Sequence, residues 1–230
     1  MKKFLIIALA ALALAGSAQA QSKKKKAAAK DTLIFTTVVA NPVTSIKNQN
    51  NSGTCWAYSA LAFLESEAIK KNPNLKNLDL CESMLVSKTY VDRADRSVRT
   101  HGDASFSQGG SFYDAIFCMD RYGLAPEGVM PYPTTLYGDS LFNFSSFFPG
   151  LEAYVKAYAK SDAKKINPAW KKDVQNMVDN YFGPVPASFK VDGKEYTPQT
   201  YVRDYLKLDP KDYVSLTSST HHPFYTSFIL

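Results

Sequence analysis

The sequence predicts an α+β protein in which helices dominate. Three observations carry that expectation. From Cys55 to Leu64 no residue is charged and apolar side chains occupy every face, which describes a helix buried in the middle of a domain. Later segments repeat apolar residues at helical spacing, and each is stopped by Gly or Pro. Strand signals are few and short, the clearest being Phe189–Tyr196 with Asp192-Gly193 as a two-residue hairpin turn.

The elements follow in order. Asp31–Val43 holds the β-branched run Thr32–Val39, ended by Asn41-Pro42, and is expected as a strand. The buried helix runs Cys55–Lys71, turns polar at Glu65, Glu67 and Lys70, and ends at Asn72-Pro73. A second helix follows Asp79, with Glu82 as its capping partner. A third follows Gln108-Gly109-Gly110-Ser111 and stops near Gly123, a C′ glycine. Leu151, Tyr154, Val155 and Tyr158 mark a fourth. Asn167-Pro168 opens a fifth, with Val174, Met177, Val178 and Tyr181 on one face and Gly183 after it. Thr197-Pro198 begins one more helix through about Lys207, and Tyr213–Ser218 and Tyr225–Leu230 are strand-like. The aromatic and Met stripes are packing, not a cofactor box.

The 230 residues, 45% hydrophobic, are enough for one domain or two lobes. The net charge of +6 is a property of one end. Residues 1–30 hold seven lysines and no acid, which leaves 20 basic against 21 acidic residues in the remainder. A near-neutral body gives no argument for a nucleic-acid partner. Lys2-Lys3, the apolar run Phe4–Ala15 and Gly16–Ala20 describe a secretory signal cut after Ala20, followed by a Lys-rich tail. The run is short for a membrane span. The expectation is an exported protein, periplasmic or extracellular, with no membrane partner once the signal is removed. Cys55, Cys81 and Cys118 are an odd number for an exported chain, so at least one thiol stays unpaired within it. Cys81 with Cys118 is one open pairing.

The chemistry concentrates in Gln49–Ser59. A polar, Gly-containing turn delivers Cys55 onto the first turn of a buried helix, where dipole and free N–H groups favour a thiolate. The Cys55 N–H and the Gln49 carboxamide six residues earlier could together face a developing oxyanion. Acyl transfer from a peptide or amide would use both. A free buried cysteine at a helix start is the plain alternative.

The spacing Gln49-x5-Cys55-Trp56, with Gly53 two before the cysteine, resembles the nucleophile signature of the papain superfamily of cysteine peptidases. Leu80-Cys81-Glu82-Ser83-Met84-Leu85-Val86 resembles the family's Leu-Ser-Glu helix start, with Cys81 where Ser is usual. Gln108-Gly109-Gly110-Ser111 resembles its substrate-pairing Gly-Gly segment, and Tyr122-Gly123-Leu124 through Pro131-Tyr132-Pro133 its Tyr-Gly…Tyr-Pro-Tyr strip. Thr217-Ser218-Ser219-Thr220-His221-His222-Pro223-Phe224, and an apparent helical insertion over Thr134–Asp212, match the bleomycin hydrolase and aminopeptidase C branch best.

The resemblance implies a papain-like fold: a helical nucleophile lobe, a helical insertion, and a β lobe largely absent from this chain. The expected division is a signal at 1–20, the tail at 21–31, the nucleophile lobe at 32–133, the insertion at 134–212 and the start of the second lobe at 213–230. It also implies Cys55 as nucleophile, Gln49 in the oxyanion hole, and Gly109, Gly110, Trp56 and Ser111 as substrate-binding. The substrate would be a peptide, no metal or organic cofactor is needed, and the full-length protein would be a homo-oligomer.

One part of the pattern is missing. The thiol needs a His base oriented by Asn or Asp, and the sequence has only His101, His221 and His222, with no Asn-Ser-Trp motif. His222 precedes Pro223, which cannot donate to a ladder, and the resemblance places the branch's His-His-Pro-Phe well upstream of its catalytic His, so His221 and His222 are expected to be structural or cleft-lining. His101 belongs in a surface loop. The base-bearing part is therefore expected beyond Leu230. The rival expectation is an exported, non-catalytic peptide-binding or assembly module. A redox thiol protein is disfavoured because no Cys-x-x-Cys occurs.

Overall fold

A computed structural model describes residues 35–75, 77–130, 141–162, 165–214, 216 and 223–226. The segments expected as a signal and a Lys-rich tail, Pro131–Pro133, and His221 and His222 lie outside the described residues. The chain divides into Met1–Ala40 and Asn41–Leu230. In the first unit, Phe35–Ala40 form no ladder, and Phe35 and Val38 are exposed. The strand expected over Asp31–Val43 is thus not formed in its described part. β-branched residues favour an extended backbone, but a strand exists only where a partner takes its hydrogen bonds. The described residues of Tyr213–Ser218 and Tyr225–Leu230 form no strand either.

In the second unit, helix α1 spans Cys55–Lys71 with the bounds the sequence predicts. Trp56, Ala57, Ala60, Leu61, Leu64 and Ala68 are buried along it, and the basic pair Lys70 and Lys71 suits the negative end of its dipole. Glu65 departs from the expectation. It sits in the half of α1 that looked solvated, yet it is fully buried.

Helix α2, Glu82–Arg99, is the spine of the unit. Met84, Leu85, Val86, Tyr90, Ala94 and Val98 are buried on it. Asp79 and Glu82 do not cap it: the N-cap is Cys81, and both acids turn to Lys47 instead. A buried ammonium is a stronger attraction for a carboxylate than a backbone N–H.

Helix α3, Phe112–Arg121, opens with a capping box between Ser111 and Asp114 and ends at Gly123, whose φ is 82°. Helices α4, Phe147–Ala159, and α5, Ala169–Phe182, lie on α2. They share with it an aromatic core of Tyr90, Phe106, Phe144, Phe148 and Phe182, ring centroids 5.5–6.5 Å from Tyr90 where they meet it. Phe147 stacks on Tyr181 at 4.2 Å.

Strands β1, Phe189–Val191, and β2, Lys194–Tyr196, pair antiparallel in the register Phe189↔Tyr196. Asp192 and Gly193 both take positive φ, the type I′ turn that Asp-Gly predicts. Helix α6, Pro198–Thr200, continues as a π-helical turn, Tyr201–Leu206, and Lys207 closes it with φ 60°. The α+β expectation with a mainly helical body holds. Among the described residues no helix is long and apolar enough to cross a membrane.

Candidate active site

Cys55 is the first residue of α1 and its thiol is free and exposed. Thr54 before it is fully buried, and its carbonyl accepts from the Ala57 and Tyr58 N–H groups at 2.8 and 3.3 Å. The helix therefore begins at the cysteine. The N–H groups of Cys55 and Trp56 have no acceptor within the helix, and the sulfur stands at the positive end of a 17-residue dipole.

The turn before it is closed by its own side chains. Gln49 Nε2 donates to the Ser52 carbonyl at 2.7 Å, and Ser52 Oγ donates back to the Gln49 carbonyl at 2.8 Å. Ser52 Oγ also lies 2.6 Å from Thr54 Oγ1. Gln49 is half-buried, and one of its two amide N–H groups is spent on this closure. The other is what an oxyanion could use.

Gln108 joins this turn to the glycine pair. Its Oε1 accepts from the Gly53 N–H at 2.7 Å. Its carbonyl accepts from Trp56 Nε1 and from the Tyr90 hydroxyl, each at 3.1 Å. Gly53 has no room for a side chain, since a Cβ there would stand 2.8 Å from Gln108 Cβ. Gly109, Gly110 and Ser111 follow directly and are exposed. Trp56 is buried under Gly110, and Ser111 gives both its N–H and its hydroxyl to Asp114 Oδ2, at 2.7 and 3.1 Å. The sequence placed Gln108 in the motif and gave it no task. Its linking role follows only from three-dimensional pairing.

Two further anchors hold the turn. Asn51 pairs with Asn143: the Asn51 carbonyl accepts from the Phe144 N–H at 2.9 Å, and Asn51 Nδ2 reaches Ser145 Oγ at 2.7 Å. Asn50 Nδ2 donates to the Phe142 carbonyl at 3.0 Å. Upstream, Lys47 Nζ meets Glu65 and Glu82, each at 3.0 Å, and also Asp79. Glu65 additionally accepts from the Leu80 N–H at 2.8 Å and from the Thr44 hydroxyl. This explains its burial. Burial alone would lower the Lys47 ammonium, but Glu82, Asp79 and Glu65 outweigh it and hold the group above the ordinary lysine range. The cluster fixes the chain two residues before Gln49 to both α1 and α2.

Cys81 and Cys118 are buried and free, so they form no disulfide, and burial pushes both thiols up. His101 is an exposed turn residue with φ 54°, as a surface-loop residue should be.

Residues 35–211 match the family described as papain family cysteine protease, and the chain belongs to that family. Its relatives place it in the bleomycin hydrolase and aminopeptidase C branch. Aminopeptidase G of Lactobacillus delbrueckii subsp. lactis is 27% identical, over 84% of this chain and 51% of that protein. Cysteine proteinase 1, mitochondrial, of Saccharomyces cerevisiae is 24% identical, over 85% of this chain and 48% of that one. The crystal structure of PepW from Lactobacillus rhamnosis HN001 shares the fold with a TM-score of 0.52 at 18% identity, covering 77% of this chain and 47% of that chain. The chain spans about half the length of the curated relatives it matches.

Proposed function

We propose that the intact protein is an exported, aminopeptidase-like cysteine peptidase. The observation that carries this reading is the exposed Cys55 thiol at the head of a buried helix, with the Gln49 amide on the same turn. The Cys55 sulfur attacks the scissile carbonyl carbon, and the π electrons move onto oxygen. The Cys55 N–H and the second Gln49 N–H stabilise that oxyanion. The peptide backbone lies along Gly109 and Gly110, where an open edge accepts an added strand, and Trp56 and Ser111 hold that edge in shape. An imidazole outside the described residues takes the thiol proton and returns it to the leaving amine, and water then hydrolyses the thioester. His221 and His222 are assigned to the cleft wall. The signal-like segment Lys2–Ala20 supports export.

The test uses the burial of the other two thiols. In the native intact protein, an epoxide-type thiol reagent should modify Cys55 alone and abolish peptide cleavage, while denatured protein exposes all three cysteines. Unimpaired cleavage by Cys55→Ala would overturn the reading. Undiminished peptide binding with no cleavage under any condition would favour a non-catalytic peptide-binding module.

A further inference from the structure

From Gln49 to Thr54 the chain forms no helix, so its orientation depends on what holds its peptide groups. The peptide that joins Ser52 to Gly53 is held at both ends. Its carbonyl, on Ser52, accepts from Gln49 Nε2 at 2.7 Å. Its N–H, on Gly53, donates to Gln108 Oε1 at 2.7 Å. A peptide group is planar, so fixing the direction of the N–H also fixes that of the carbonyl. Gln108 is thereby coupled to Gln49 through one rigid plane, and hydrogen bonds in series polarise one another.

Gln108 is itself well anchored. Its carbonyl accepts from Trp56 Nε1 and from the Tyr90 hydroxyl, each at 3.1 Å. Tyr90 is fully buried on α2 within the aromatic core, so that end of Gln108 is fixed to the body of the unit. The Gln108 Cβ packs over Gly53, where an added Cβ would stand 2.8 Å from it. Only the oxygen of the Gln108 amide can accept from the Gly53 N–H, which settles the amide's orientation. Among the described residues, this is the hydrogen bond that ties residues 49–54 to residues 107–111. Cys55, Cys81 and Cys118 are all free, so no disulfide reinforces it.

We propose that Gln108 is a positioning residue of the oxyanion hole, setting the direction of the Gln49 amide through the peptide between Ser52 and Gly53. This rests on the Cys55 reading above and gives Gln108 a role through Gln49 rather than on the substrate. Gln49 has one N–H on the Ser52 carbonyl and one left for the oxyanion, and rotation of the peptide plane turns both. Losing the Gln108 acceptor therefore weakens stabilisation of the transition state, where negative charge develops on oxygen, more than it weakens substrate binding. It leaves direct alkylation of the Cys55 sulfur unaffected, because displacement of a halide by the thiolate creates no oxyanion.

Steady-state kinetics on the intact protein test this, with active enzyme counted by titration of Cys55 so that misfolded molecules do not enter. Gln108→Met keeps the side-chain length and removes the acceptor. Its kcat and kcat/KM for peptides should both fall at least tenfold with KM within threefold, the signature of an interaction made only in the transition state. The loss should stay below the roughly 10²–10³-fold reached when an oxyanion donor is deleted outright. Alkylation of Cys55 by iodoacetamide should keep its rate within threefold. Gln108→Glu keeps an acceptor at the same reach and should be at least threefold more active than Gln108→Asn, which is one methylene short. Unimpaired kcat in Gln108→Met would overturn the proposal, and so would kcat and alkylation rate falling together. Gln108→Asn outperforming Gln108→Glu would do the same, and that pair decides even if Gln108→Met does not fold. A parent that cleaves peptides beside an unimpaired Gln108→Met removes the positioning role and leaves the Cys55 reading standing, whereas cleavage by Cys55→Ala removes that reading itself.

Discussion

Gly110 lies against the indole of Trp56 with no space for a methyl group: a Cβ at position 110 would stand 2.6 Å from two ring atoms. The ring cannot yield easily, because its Nε1 is bonded to the Gln108 carbonyl at 3.1 Å. Trp56, next to Cys55, and the exposed Gly109-Gly110 segment are therefore one packed unit. Gly110→Ala should cost about 1–3 kcal/mol through overpacking and lower kcat/KM for peptides at least tenfold. Gly109 is a control one residue away, since its nearest neighbour is Ser107 Oγ at 4.0 Å. Gly109→Ala should stay within about 0.5 kcal/mol of the parent. Urea denaturation and a peptide assay on both variants check the contrast, and equal stability losses would refute the packing argument.

A carboxylate next to the Lys47 cluster predicts a pH dependence of stability. Burial, reinforced by Glu82 and Asp79, pushes the Glu127 carboxyl up to about 7. An acid raised in the folded state binds its proton more tightly there than in the unfolded chain. Stability from this group is present below the unfolded value near 4.5 and is lost as pH rises towards 7. The loss is on the order of 1–3 kcal/mol, a ceiling set by the size of the shift. Glu127→Gln should remove this slope and leave the protein more stable than the parent at pH 8. Denaturant midpoints between pH 4.5 and pH 8 measure it, and an unchanged slope in the variant would assign it to other groups.

Where sequence and structure agree, a local signal was decisive. The uncharged run from Cys55, the Asp192-Gly193 turn and the stop glycines Gly123 and Gly183 each act within a few residues, and each sits where expected. The placements that were not legible depend on distant partners. Glu65 looks like a surface acid until Lys47 and the Leu80 N–H are brought to it from 18 and 15 residues away. Gln108 is one polar residue among many until Gly53, Trp56 and Tyr90 converge on it. Phe35–Val39, the described part of the β-branched run, has strand propensity, but propensity supplies no partner strand. The candidate site divides in the same manner: spacing alone singles out Cys55 and Gln49, whereas the bonds that tie Asn50 to Phe142 and Asn51 to Ser145, in the turn between them, leave no local signal.

The end of α3 gives the sharpest test of that long-range packing. Gly123 has φ 82°, a conformation that costs an L residue about 1–2 kcal/mol. A Cβ there would also lie 2.2 Å from the Pro198 carbonyl carbon and 2.5 Å from the Gln199 nitrogen. Those are backbone atoms at the start of α6, and the Leu124 N–H donates to the Pro198 carbonyl at 3.2 Å across the same junction. No side chain can swing away to relieve the clash, so α6 must separate from α3. Gly123→Ala should therefore cost more than about 4 kcal/mol, the range reached only by a severe, identifiable defect, and should sharply reduce soluble yield. Gly150, inside α4 with nothing within 4 Å of a Cβ, isolates the propensity term. Gly150→Ala should gain about 0.5–1 kcal/mol because alanine loses less backbone entropy in a helix. Urea midpoints and yields of the two variants should move in opposite directions. Similar behaviour of both would mean that α3 and α6 do not meet at Gly123.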